Sequence, residues 1–166
     1  MAIFPIRTHP DPVLRLRAAD VTEFGEALAR LVDDMTETMY AAPGVGLAAP
    51  QIGVSLRVVV FDAGDGPHHL INPTLEQTSG TAEYEEGCLS VPGHYWPITR
   101  PSYARARGTD LAGREVVYEG EELMGRVLQH ELDHIEGMLL LERLSRRDRR
   151  EALRDLRREA LERGVG

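Results

Sequence analysis

The stretch QHELDHIEG, residues 129 to 137, holds the side chains of this chain that are best suited to chemistry. His130 and His134 are four residues apart, so on a helix both rings would lie on one face, about 5–6 Å apart, and could bind one cation. Glu131 would lie beside that cation and could take a proton from bound water without being a ligand itself. The spacing H-E-x-x-H therefore indicates a metal site, although a charged helix with two partly exposed histidines would show the same pattern.

Two histidines do not complete a metal site, so a further ligand must come from elsewhere in the chain. One class of zinc proteases has a third His at the position that Leu140 occupies here, which excludes that class. Another class uses a downstream Glu, and Glu159 is a candidate. Upstream, Cys88 is the only cysteine and follows a polar, extended stretch. It could be a plain core residue. A thiolate with two imidazoles, however, suits Fe(II), Zn(II) or a similar ion and leaves one position open for water or substrate.

Helices and short strands are predicted to position these residues. Apolar residues at helical spacing predict three helices, over residues 21 to 42, 121 to 136 and 145 to 163. The first is expected to begin at a capping box formed by Asp20 and Glu23. Strands are predicted at 57 to 61, 69 to 73, 103 to 108 and 114 to 120. The connections are too short for parallel crossovers, so we expect small antiparallel or mixed sheets and an α+β fold class.

Size and composition favour one cytoplasmic domain over residues 1–166. The chain has 166 residues, of which 42% are hydrophobic, enough for one substantial core. It has no apolar run of the roughly 18 residues that a membrane span needs, so no membrane partner is expected. The start, MAIFPIRTHPDPVLR, has charge and proline where a signal peptide would be apolar.

Charge is distributed unevenly along the chain. The net charge of -8 argues against DNA as a partner. All 19 basic residues are Arg, and residues 145 to 166 carry eight of them against five acids. The spacing of these opposite charges is typical of an exposed, solvated helix.

Three stretches together resemble the signature motifs of the peptide deformylase family: GVGLAAPQIG at 44 to 53, EGCLS at 86 to 90 and QHELDH at 129 to 134. Members of this family remove the formyl group from the N-terminal formyl-methionine of new bacterial and organellar polypeptides. They use a divalent metal, natively Fe(II) in many members, bound by one Cys and two His. The resemblance implies that Cys88, His130 and His134 are the metal ligands and that Glu131 is the general acid and base.

The resemblance also implies how the substrate is held. Gln51 and the backbone N–H of Leu89 would bind the oxyanion that forms on the formyl carbon. The segment from Gly44 to Gly46 would pair with the substrate peptide as an added strand. Val45, Leu123 and Val127 would line the methionine pocket, although each could equally be a simple core residue. The full set of implied substrate-binding residues is Gly44, Val45, Gly46, Glu86, Gly87, Leu123 and Val127.

Several features stay open at this point. Some family members grip the peptide backbone with an Arg seven residues after the metal-binding Cys, and Tyr95 stands there in this chain. The resemblance implies Fe(II) as the metal, with Zn(II), Ni(II) or Co(II) possible in purified protein. It further implies formylmethionyl nascent chains as substrates and a ribosome contact through the C-terminal helix. The alternatives are a metalloprotease with Glu159 as third ligand, a closed structural metal site, and a peptide-binding module.

Overall fold

The protein is described here by a computed structural model, which covers residues 2–164 and confirms the α+β fold class. Residues 165 and 166 of the predicted Arg-rich tail lie outside the described residues. The helices are α1 (Glu26–Ala41), α2 (Glu122–Ile135) and α3 (Arg146–Glu162). The strands are β1 (Gly46–Ala48), β2 (Val58–Phe61), β3 (His68–Ser79), β4 (Ala82–Cys88), β5 (Val91–Arg100), β6 (Tyr103–Thr109) and β7 (Glu115–Glu121).

The strands form two sheets. One has five strands in the order β1-β2-β3-β6-β7, and the other is the hairpin of β4 and β5. Every pairing between these strands is antiparallel, one of the two arrangements that the short connections predict. Within this arrangement β1 pairs only with β2, and β4 pairs only with β5, so each has one edge that pairs with no other strand of the described chain.

The core lies on both faces of β2, whose four residues are all buried. Val58 and Val60 pack against the apolar face of α1, which contributes Leu28, Val32, Met35 and Met39. Because side chains alternate along a strand, Val59 and Phe61 face the opposite side. There they pack against Val127, Leu128, Leu132 and Ile135 of α2. The two helices are therefore held at fixed positions on opposite faces of one strand.

The predicted start of the first helix is wrong. The helix begins at Glu26 after Gly25, and no capping box forms at residue 20. The backbone of Val21 is instead bound by the side chain of Asn72: its N–H donates to Oδ1 over 2.8 Å, and its carbonyl accepts from Nδ2 over 3.0 Å. Since these groups are committed to a contact with β3, the segment before Gly25 stays extended.

Three strands that surround the site were not predicted. The strand β1 has only three residues, and β4 carries three consecutive exposed residues at 83 to 85. The strand β5 contains two prolines and a glycine, which normally argue against a strand. A hairpin of two strands tolerates this composition because each strand has one edge that makes no ladder hydrogen bonds.

Helix α2 lies unusually close to the backbone around it. A Cβ atom added to Gly125 would lie 2.8 Å from the carbonyl oxygen of Gly120 and 2.9 Å from that of Ser102. Both contacts are with backbone, which cannot rotate away as a side chain can. The absence of a side chain at Gly125 therefore sets how closely α2 approaches the start of β6 and the end of β7.

We predict that Gly125→Ala destabilises the protein. Alanine is favoured over glycine inside a helix by about 1 kcal/mol, so helix propensity alone would raise the free energy of unfolding. The backbone contacts of an added methyl group should outweigh this gain and lower the free energy instead. Urea unfolding followed by circular dichroism measures the sign, and a stabilised variant would contradict the close approach.

Candidate active site

Three side chains from two separate elements meet in one buried cluster. Cys88 ends β4, while His130 and His134 are on α2. The Sγ atom of Cys88 lies 3.3 Å from Nε2 of His134, and the two imidazole centroids are 5.1 Å apart. One potential ligand atom from each of the three residues lies within 4.8 Å of the others. This separation is that of atoms which share one metal ion.

The backbone geometry at Cys88 turns its thiol toward the helix. The register of β4 against β5 shifts between Gly87 and Cys88, and such a bulge re-aims the side chain that follows it. The backbone N–H of Ser90 contacts Sγ at 3.4 Å. Burial raises the pKa of this thiol, but the charges of His134 and His130 lower it more, so the pKa lies well below its usual value. The sulfur is therefore suited to be a thiolate ligand.

A buried network orients His130. Its Nδ1 lies 3.2 Å from Oε1 of Glu86, which leaves Nε2 as the nitrogen for a cation. The guanidinium of Arg100 donates to both oxygens of Glu86, over 2.7 and 3.1 Å, and to Asp133 over 3.0 Å. Burial raises the pKa of Glu86, but hydrogen bonds from His130 and Arg100 lower it to about 2, so the carboxylate stays ionised. Outer partners of this kind fix the orientation and basicity of a ligating imidazole.

Glu86 is one of the substrate-binding residues predicted from the sequence. It lines the cleft beside the substrate-binding residues. Both of its oxygens, however, are occupied by Arg100 and by His130. Its contacts support the histidine rather than leaving an oxygen free for a substrate group.

Two buried polar atoms at the cluster have no partner among the described residues. They are Nδ1 of His134 and Oε1 of Glu131. Glu131 is only 4% exposed, and burial raises the pKa of its carboxyl group. A divalent cation with its water molecules fits this donor set of one sulfur and two imidazole nitrogens, and it would bring a hydrogen-bond donor to the free oxygen of Glu131.

The glycines just before and at the start of β1 allow the chain to pass close to the cluster. A Cβ atom on Gly46 would lie 2.5 Å from Oε2 of Glu131 and 2.7 Å from Cγ2 of Val127. One on Gly44 would lie 2.8 Å from Cδ1 of Leu89. Gly46 therefore lies against the carboxylate of Glu131, and Gly44 lies against Leu89. A side chain at either position would collide with these groups.

Gln51 is fixed at the other side of the cluster, in the turn that follows β1. It is 1% exposed, and its Oε1 accepts from the N–H of Ala48 over 2.9 Å. Its Nε2 donates to Oγ of Ser90 over 3.1 Å and lies 3.9 Å from the sulfur of Cys88. Sequence reasoning missed Ser90, although it closes the EGCLS motif. Its hydroxyl holds the amide of Gln51 in place.

These residues line one cleft of about 550 Å³. Gly44 to Gly46 form one wall, along the unpaired edge of β1, and Glu85 to Cys88 form the opposite wall, along the unpaired edge of β4. An extended peptide placed between two such edges can form main-chain hydrogen bonds with them. The predicted methionine-pocket residues Val45, Leu123 and Val127 line the same cleft, together with Gln51, Leu89 and Glu131.

The residues after Cys88 occupy the outer part of this cleft. Tyr95 is 66% exposed, and its ring lies against Gly87, where a Cβ atom would approach Cε1 to 2.5 Å. His94 stacks on Trp96 and bonds to Oε2 of Glu159 over 2.9 Å. The described residues contain only one group of metal-ligand type, Cys88 with the two histidines, and Glu159 is not part of it. A metalloprotease that uses Glu159 is therefore the wrong interpretation.

A pair that sequence reasoning did not single out closes another wall. The guanidinium carbon of Arg126, on α2, lies 4.2 Å from the centre of the Tyr84 ring, on β4. Arg126 lines the cleft one helical turn before His130. The spacing of apolar residues along α2 does not predict that Arg126 lines the cleft.

Comparisons with known proteins converge on one family. A family model described as "Polypeptide deformylase" matches residues 3–150. The "Peptide deformylase" of Acidothermus cellulolyticus is 48% identical over 157 residues, which cover 95% of this chain and 87% of that protein. A solved peptide deformylase from Legionella pneumophila is 41% identical with a TM-score of 0.90 and covers 99% of both chains. One from Thermus thermophilus is 42% identical with a TM-score of 0.90 and covers 96% of both. Separately, none of the helices between residues 2 and 164 has the length and apolar character that crossing a membrane requires.

The ligand set predicts how metal content responds to substitution. Cys88→Ala should remove the bound divalent metal, because it leaves two imidazoles and no thiolate. Glu131→Gln should retain the metal, because this residue is not a ligand in our assignment. Mass-spectrometric metal analysis of the desalted proteins measures both. Metal retained at the wild-type level in Cys88→Ala would contradict the assignment.

Proposed function

Because this chain belongs to the peptide deformylase family, we propose that Cys88, His130 and His134 bind its metal ion and that Glu131 and Gln51 act on the substrate. The protein is a metal-dependent hydrolase that removes the formyl group from the N-terminal formyl-methionine of nascent polypeptides. The observation that carries the residue assignment is the convergence of a thiol, two imidazoles, a buried carboxylate and a fixed amide on one cleft.

Hydrolysis of a formyl amide needs a strong nucleophile at neutral pH. Cys88, His130 and His134 would hold a divalent metal, which when bound would lower the pKa of water and polarise the formyl carbonyl. Glu131 accepts the proton of the attacking water at its free oxygen and returns it to the departing amine nitrogen. Burial of Glu131 against Gly46 keeps its carboxylate beside the reacting atoms and away from bulk water.

Negative charge develops on the formyl oxygen as water attacks. The Nε2 of Gln51 donates a hydrogen bond to this oxygen, and the backbone N–H of Leu89 is the second donor. The amide oxygen and nitrogen of Gln51 are both held in place, since Oε1 accepts a hydrogen bond from the N–H of Ala48 and Nε2 donates one to Oγ of Ser90. A donor fixed before the reaction does not have to reorient during it, which is the source of its catalytic effect.

The substrate peptide lies between the two unpaired strand edges. Its backbone would form main-chain hydrogen bonds with β1 around Gly46 and with β4 around Gly87. Its methionine side chain enters the apolar part of the cleft at Val45, Leu123 and Val127. Tyr95, which stands where some family members have Arg, contributes its exposed ring to the peptide beyond methionine.

We propose Fe(II) as the native metal, because many members of this family use it and a thiolate with two imidazoles suits it. Zn(II), Ni(II) or Co(II) can replace it in purified protein. We further propose that residues 1–166 act as one catalytic domain in the cytoplasm, where nascent chains are made.

We predict that protein purified without oxygen releases formate from a formyl-Met-Ala-Ser peptide. Glu131→Gln should lower kcat by about 10²–10⁴-fold while it keeps the metal, because the amide cannot accept the proton. Glu151→Gln makes the same chemical change on an exposed face of α3 and should leave kcat unchanged. Wild-type protein that holds its metal but releases no formate would overturn the function.

We also propose that α3 contacts the ribosome. All seven of its arginines are exposed, while Ala152 is buried and Leu156 packs against the hairpin of β4 and β5. The basic side chains are therefore available to phosphate groups, whose binding weakens with salt.

We predict that replacing Arg147, Arg150, Arg154 and Arg157 by Gln weakens cosedimentation with ribosomes and reduces its dependence on salt. Hydrolysis of free formylated peptide should not change. Arg30→Gln with Arg114→Gln removes exposed arginines elsewhere and serves as the control. Equal ribosome affinity in the four-fold variant and the wild type would refute this contact.

A further inference from the structure

Arg126 lines the cleft but has no role in the proposed hydrolysis. It stands on the same helix as Leu123 and Val127, and all three line the cleft. The ring of Tyr84, on the facing strand β4, lies 4.2 Å from its guanidinium carbon. A cation over an aromatic face is attracted by the ring, so Tyr84 holds the guanidinium beside the apolar residues of the methionine pocket.

The donors of Arg126 have no acceptor within residues 2–164. Its Nε is buried and lacks a hydrogen-bond partner, and the guanidinium forms no ion pair with a described residue. The two buried arginines differ in this respect: Arg57 is paired with Glu136, and Arg100 with Glu86. The two Nη groups are not fully buried and have no carboxylate beside them, so they can donate to an acceptor that arrives with the substrate.

The acceptor would be carried by the first side chain of the substrate, because Arg126 adjoins the residues assigned to the methionine pocket. A thioether sulfur is a weak acceptor. Oxidation of methionine to its sulfoxide adds a polar oxygen to a side chain of nearly the same length. That oxygen is the kind of group that a fixed and unpaired guanidinium binds well.

We propose that this enzyme also deformylates peptides that begin with N-formylmethionine sulfoxide, with Arg126 donating a hydrogen bond to the sulfoxide oxygen. The inference rests on the proposed function. The reaction is unchanged: water adds to the formyl carbon, the C–N bond breaks, formate leaves and the amine nitrogen gains the proton. The sulfoxide is neither reduced nor oxidised.

Three peptides test this proposal: formyl-Met-Ala-Ser, its sulfoxide, and the formyl-norleucine analogue, which has the same length but no sulfur. The quantity to compare is the ratio of kcat/KM for the sulfoxide to kcat/KM for the norleucine peptide. Because both values come from one preparation, incomplete folding or metal loading cancels in the ratio. The wild type should hydrolyse the sulfoxide faster than the norleucine peptide.

Arg126→Met keeps an unbranched apolar side chain and removes the donors. It should lower the ratio about tenfold or more, as expected for a hydrogen bond from a charged donor. Tyr84→Leu should lower it less, because the guanidinium remains but loses its support. Arg147→Met, at a side chain that is 87% exposed on α3, should leave the ratio unchanged.

The sulfoxide is chiral, so the wild type should also prefer one epimer, and Arg126→Met should lose that preference.

An equal ratio in the wild type and in Arg126→Met would overturn the proposal. An equal fall in activity toward all three peptides would overturn it too, because Arg126 would then bind the peptide backbone or support the fold. Normal hydrolysis of formyl-Met-Ala-Ser with no hydrolysis of the sulfoxide would reject this inference alone. No hydrolysis of any peptide would reject the proposed function.

Discussion

The geometry of the cluster of Cys88, His130 and His134 depends on the buried ion pair between Arg100 and Glu86. Arg100 ends β5 and Glu86 is on β4, while Asp133 and His130, which complete the network, are on α2. The pair therefore joins the hairpin that carries Cys88 to the helix that carries both histidines. Removing one member of a buried pair is typically strongly destabilising, because the remaining charge loses its partner. Here the loss of either residue would also free the hairpin that carries Cys88 from the helix that carries His130 and His134.

Packing supports the same arrangement from the opposite side of α2. The strand β2 is buried on both faces, and its alternating side chains fix α1 on one face and α2 on the other. Gly125 then lets α2 approach the backbone of β7 and of the residue before β6, and Gly46 lets β1 approach the side chains of Glu131 and Val127. The position of the catalytic helix is thus set by apolar packing, by two missing side chains and by one buried charge network.

Helices α2 and α3 could be predicted from sequence, because their apolar residues recur at three and four and each has a clear end. The start of α1 could not, since it depends on Asn72, a residue distant in sequence that binds the backbone of Val21. The unpredicted strands β4 and β5 are polar or contain proline, and they exist because they pair with each other. The metal ligands were assigned by resemblance to a family. The role of Ser90, the contact of Arg100 with Asp133 and the stacking of Arg126 on Tyr84 depend on contacts that only the folded chain forms.

The two strand edges that form the cleft also create a risk of self-association, since an open edge can pair with the edge of another molecule. Both edges are poor templates for this. The strand β1 is only three residues long, and its start is glycine-rich. The strand β4 carries exposed carboxylates at Glu83 and Glu85, and like charges would repel a second copy aligned along it. The short length, the glycines and the exposed carboxylates made these strands hard to predict. The same features let each edge bind a short peptide while they disfavour pairing with a strand of a second molecule.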